Sequence, residues 1–124
     1  MSGLSDPERL ASVNALLGDL PDGPGGSGVV EVVVTGDGSQ RVALLWVVEH
    51  GRLVAVESSA DSGRTADVSI PQGQVDLGAL LAGDFDPAVA YMRGDLKPEG
   101  SVSAFFAWLS ALARPECRRV LARA

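Results

Sequence analysis

The sequence predicts a single α+β domain, and three observations carry that expectation. The chain has 124 residues, a length that suits one domain with a real core and no need of a metal or disulfide staple. Its middle holds consecutive runs rich in valine and leucine, parted by glycine-bearing turns. Apolar residues at helical spacing are collected before and after those runs.

The elements follow in chain order. Asp6 is a candidate N-cap, Pro7 fits the first helical position, and the body runs to Leu20, with Leu10, Val13, Leu17 and Leu20 forming one apolar stripe. "PDGPGGSG", Pro21 to Gly28, is too rich in glycine and proline for an element. Three strands are expected at Val29–Gly36, Arg41–His50 and Arg52–Ser59, joined by hairpin turns at "GDGS" and "HG". The second is apolar on both faces, with Val42, Leu44, Trp46 and Val48 opposite Ala43, Leu45 and Val47, as a central strand would be. A fourth strand lies in "TADVSI", with Ala66, Val68 and Ile70 inward.

From Pro71 the period becomes helical. Leu77, Leu80 and Leu81 share a face until Gly83. Asp86–Pro87 opens a second short helix, which Gly94 stops. Asp95–Glu99 reads as a short strand, held to an edge by Pro98. Ser101 caps a helix through Ala113 whose apolar face is Val102, Phe105, Phe106, Leu109 and Leu112, with Trp108 at its border and Ala104, Ala107 and Ala111 opposite. Pro115 opens a short terminal helix.

Chemistry-bearing patterns are sparse. Net charge is −6, and the only basic cluster, Arg114, Arg118, Arg119 and Arg123, belongs near a helix C-terminus, where cations complement the dipole. This argues against a nucleic-acid partner and against attraction to anionic membranes. No run reaches membrane-spanning length and no secretory signal is visible, which points to a cytoplasmic protein without stable membrane insertion. Cys117 is the one cysteine, so no disulfide framework and no cysteine metal site is expected. His50 is the one histidine and falls in a turn without an orienting partner. Nucleophile elbows, zinc-protease motifs, phosphate loops and dinucleotide fingerprints are missing, so neither catalytic residues nor a cofactor are assigned. Asp84, Asp86 and Asp95 sit beside glycine breaks, which suits capping better than an acid–base pair.

What remains is an excess of apolar surface. Ala66–Asp67–Val68–Ser69–Ile70, the pair Leu80–Leu81, then Gly83, Pro87, Ala90, Met92, Gly94, Leu96–Lys97 and Gly100 follow in an order and spacing that resembles the sterol carrier proteins, also called non-specific lipid-transfer proteins. The resemblance covers roughly residues 28–113. It implies a mixed five-stranded sheet covered by helices, with a hydrophobic tunnel between them for a fatty acyl chain, an acyl-CoA, a sterol or a polyketide-like molecule. On that basis residues 1–27 are an N-terminal helix and glycine-rich loop, and 28–124 a sterol-carrier-like lipid-binding region of one globular unit. The tunnel would be lined by Trp46, Leu80, Leu81, Phe85, Met92, Phe105, Phe106, Leu109 and Leu112. Lys97 reads as a guard on an edge strand. The peroxisomal targeting tripeptide of some members is not at the C-terminus, which reads Ala122–Arg123–Ala124. A carrier is favoured over two rivals: a cyclase or isomerase using Tyr91 or an aspartate in the same pocket, and an accessory module that binds a partner protein or pairs as a homodimer.

Overall fold

The three valine-rich runs form a meander in a computed structural model that describes residues 7–23, 25–35, 41–71 and 73–123. β1 (Gly28–Thr35), β2 (Arg41–Glu49) and β3 (Arg52–Ser58) pair antiparallel. His50 (φ 54°) and Gly51 (φ 72°) make the tight turn between β2 and β3, and two left-handed residues match the twist of such a hairpin. The expected "GDGS" turn and the Asp6 cap lie outside the described residues. A bulge opposite Val47 and Val48 lets Leu53 and Val56 both reach the core, although a step of three positions would put them on opposite faces of a regular strand.

The chain then crosses over through a short helix, α2 (Ser59–Ser62), and returns as β4 (Val68–Ile70), parallel to β1. β5 (Glu99–Gly100) closes the sheet against β4, giving the order β3-β2-β1-β4-β5. The sheet is therefore five-stranded and mixed, and β2 is internal as its two apolar faces require. β5 is shorter than the Asp95–Glu99 strand expected from sequence. Leu96 turns into the core at 1% exposure, the Lys97 N–H donates to Gln74 Oε1 at 2.6 Å, and Pro98 has no N–H to offer a ladder. Lys97 consequently precedes the edge strand and does not guard it. Gly100 is required where it stands: its φ is +126°, and a Cβ would meet the Asp67 carbonyl oxygen at 2.5 Å.

One face of the sheet, that of Val30, Val32, Leu44 and Trp46, packs against α5 (Val102–Leu112). The helix lies across β1 to β4, with the Ser101 hydroxyl accepting the Ala104 N–H at its start. Its buried residues are Ala104, Phe105, Ala107, Trp108, Ala111 and Leu112. The face expected from sequence is therefore rotated. Phe106 is 46% and Val102 51% exposed, while the alanines point down. The reason is a close approach: a Cβ on Gly28 would sit 2.6 Å from the Ala104 Cβ, so the helix rests on a glycine through its smallest residues. Sheet and helix then meet through Trp46 and Trp108, edge to face at 5.9 Å between centroids. Neither indole N–H finds an acceptor among the described residues, a cost of roughly 1–3 kcal/mol apiece that the burial of two large rings offsets.

α1 (Pro7–Leu17) ends earlier than expected, with Gly18 following it, and packs on β3 and α6 (Pro115–Leu121). Val13 and Leu17 join the same core as the strands, so the N-terminal helix shares one interior with the rest. Asn14 also closes the open edge of the sheet. Its amide nitrogen donates to the Val56 carbonyl at 3.0 Å and its amide oxygen accepts the Val56 N–H at 2.7 Å, as a neighbouring strand would.

Candidate functional site

Two short helices stand beside α5. α3 (Leu77–Ala82) starts at Asp76, whose carboxylate accepts the Ala79 N–H; the helix expected from Pro71 begins only here, because the capping oxygen sits at Asp76. α4 (Pro87–Arg93) follows the expected pattern. Asp86 accepts the Ala88 N–H at 2.9 Å, Pro87 opens the helix and Gly94 closes it in the left-handed region. With only seven or fewer residues each, such helices rely on packing for their stability.

Between α3, the start of α4, the end of α5 and α6 lies an apolar cleft of about 440 Å³. Leu80, Leu81 and Phe85 form one wall, Leu109 and Leu112 the second, and Leu121 with Arg118 and Arg119 the third. Asp86 also borders it, with its carboxylate occupied at the α4 cap. Every lining residue belongs to a helix, a helix cap or the short α3–α4 connection, and none belongs to a strand.

This divides the residues singled out from sequence. Leu80, Leu81, Phe85, Leu109 and Leu112 converge on the cleft. Trp46 and Phe105 are fully buried, Trp46 edge to face with Trp108 of α5, and neither lines the cleft. Phe106 and Tyr91 meet edge to face at 5.7 Å, on the outer side of α5. Met92 is 84% exposed and stands in solvent, at the position in α4 farthest from burial. Arg118, Arg119 and Leu121 are cleft residues that sequence reasoning misses. Their signal is the arginine pair followed by a leucine one turn after Arg118, but it reads equally well as an ordinary helix end.

The site holds little reactive chemistry. His50 is exposed in its turn. Asp84 and Asp95 each follow a helix-ending glycine, and their N–H groups donate to the Ala79 and Ala90 carbonyls, so they terminate different helices. Burial pushes the Cys117 thiol up to about 12, against the pull of Arg114, so the thiolate nucleophile does not form near neutral pH. Among the described residues, no three of His, Cys, Asp or Glu are grouped to hold a metal ion, and no helix is long and apolar enough to cross a membrane.

No family model and no curated protein sequence matches this chain. Solved structures do. The crystal structure of sterol carrier protein 2 superposes with a TM-score of 0.60 at 21% identity, over 90% of this chain and 92% of that one. Palmitated SCP2L2 from Aedes aegypti gives 0.59 at 18% identity, over 92% and 96%. A possible sterol carrier protein from Thermus thermophilus gives 0.54 at 19% identity, over 91% and 76%. The chain thus has the sterol carrier fold, as the motif between Ala66 and Gly100 implied.

Proposed function

We propose that this protein binds and carries one hydrophobic small molecule in the helix-lined cleft, as a cytoplasmic carrier that leaves its ligand chemically unchanged. The observation that supports this best is the cleft itself. Its volume of about 440 Å³ lies within the usual range for small-molecule sites, and its apolar lining is led by leucines and Phe85. The fold is shared with a protein whose structure was solved in palmitated form, which favours an acyl-type occupant. The carrier reading is also favoured over the enzyme by the site's chemistry, since Asp86 is spent on a helix cap and Tyr91 packs against Phe105 and Phe106. On this reading the hydrophobic tunnel that the resemblance implies is met in this chain by the cleft between α3, α5 and α6.

A second reading has its own support. Val89, Met92, Val102 and Phe106 are large apolar residues exposed on α4 and α5, and such a surface suits an accessory module docking on a partner protein or on a second copy. The two readings separate in one titration. Nile red, a neutral apolar dye, should bind saturably to the parent. Leu109→Trp puts a larger ring into the open cleft, takes space the dye needs, and should weaken that binding about tenfold or more, about 1.4 kcal/mol, with the melting temperature little changed. Dye binding that is unsaturable, or unaltered by Leu109→Trp, contradicts the carrier reading.

A further inference from the structure

The three arginines of the last helix are not equivalent. Arg114, just before α6, is fully engaged: its guanidinium donates to Glu116 Oε2 at 2.9 Å and to the Gly51 carbonyl at 3.2 Å. Arg118 and Arg119 are exposed, border the cleft, and make no side-chain hydrogen bond or ion pair with any described residue. The nearby carboxylates are already committed. Glu116 is held by its own backbone N–H and by Arg114, with Arg119 adding only its field, and Asp86 caps α4. A last-turn position explains why cations are tolerated on α6. It does not account for two guanidinium groups without an ion-pair partner among the described residues, beside a wall of leucines in a chain of net charge −6.

We propose that Arg118 and Arg119 make this cleft selective for single-chain amphiphiles with an acidic head, a carboxylate or a phosphate. The head lies at α6, where two planar forks of N–H donors suit an oxyanion. The tail runs toward Leu80, Leu81 and Phe85, away from water. Asp86 borders the cleft from the α3–α4 side and repels the head from that end, so one orientation is preferred. Sterols and fatty alcohols fill the apolar part equally well and gain nothing from the arginines. The inference rests on the carrier reading and adds the ligand class to it.

The test is displacement of Nile red by dodecanoate, dodecyl phosphate, dodecanol and methyl dodecanoate, with inorganic phosphate as the headgroup without a tail. In the parent, the two acidic amphiphiles should displace the dye at about tenfold lower concentration than the neutral ones, the contribution of two solvent-screened charge contacts. Inorganic phosphate should displace nothing, and the better of the two acids identifies the head. The double variant R118Q/R119Q should lose the preference while keeping its affinity for Nile red and dodecanol, and R118K/R119K should retain most of it. Raised salt should narrow the gap in the parent, a readout that needs no variant. Equal displacement by dodecanoate and dodecanol, or a preference that survives in R118Q/R119Q, overturns the proposal and leaves the carrier reading intact. Failure of Nile red to bind at all overturns both.

Discussion

The two sides of α5 differ in how they are filled. Toward the sheet, Phe105 and Trp108 are sealed at 0% exposure against Trp46 and the strand valines, with alanine on glycine where the backbones come closest. Toward α3 and α6, one turn further along the same helix, Leu109 is only half-buried and faces an open cleft. Residues a turn apart share a helix face, but they do not share a neighbour when the packing partner changes along the axis. Here the sheet backs the side of the helix that carries Ala104 and Trp108, and short, separate helices stand beside Leu109 near its end. A sheet offers an unbroken surface that a helix can seal; the short helices around Leu109 leave a gap. The open space of the cleft therefore sits where short elements meet.

That contrast can be broken most severely at Phe105. Phe105→Ala should cost roughly 3–5 kcal/mol, the range for deleting an aromatic side chain from a filled core. Leu109→Ala should cost distinctly less, since part of its surface already faces open space. Paired chemical denaturation of the two variants measures the difference, and equal losses would mean the cleft side is packed as tightly as the sheet side. A smaller effect is expected at Gly28. Gly28→Val drives a branched side chain into Ala104 and should destabilise by about 1–3 kcal/mol, as overpacking does. If thermal melting shows Gly28→Val to be neutral, α5 is not resting directly on β1 and the seal between sheet and helix is looser than described.

Much of this is legible in the sequence because local chemistry and tertiary structure agree. The meander, the His50–Gly51 turn, the Asp86–Pro87 start and Gly94 stop of α4, and the Ser101 cap each depend on residues within a few positions of one another. The motif from Ala66 to Gly100 is longer, but its order along the chain is read directly and points to the fold. What sequence reading misses depends on distant partners. The burial of the Ala104, Ala107 and Ala111 side of α5 follows from Gly28, far away in sequence. The shortness of β5 follows from Gln74 taking the Lys97 N–H. Asn14 looks like a neutral helix residue until Val56 of an edge strand is placed beside it. The crossover helix α2 is too short to show a period. At the site, leucines can be marked as apolar from their spacing, yet spacing does not say which of them close a core and which leave a cleft, and so Trp46 and Phe105 fall into one group with Leu80 and Leu109.

The most direct measurement is a map of backbone amide shift changes in the protein's NMR spectrum on saturation with dodecanoate. Binding in the helix-lined cleft should move the amides of Leu80 to Ala88, Leu109 to Ala113 and Arg118 to Ala122 most, and leave Val30, Leu44, Trp46, Val68 and Ile70 nearly in place. The reverse pattern, with the largest changes along the strands that face α5, would show the ligand entering between sheet and helix and would contradict the assignment of the cleft as the carrier site.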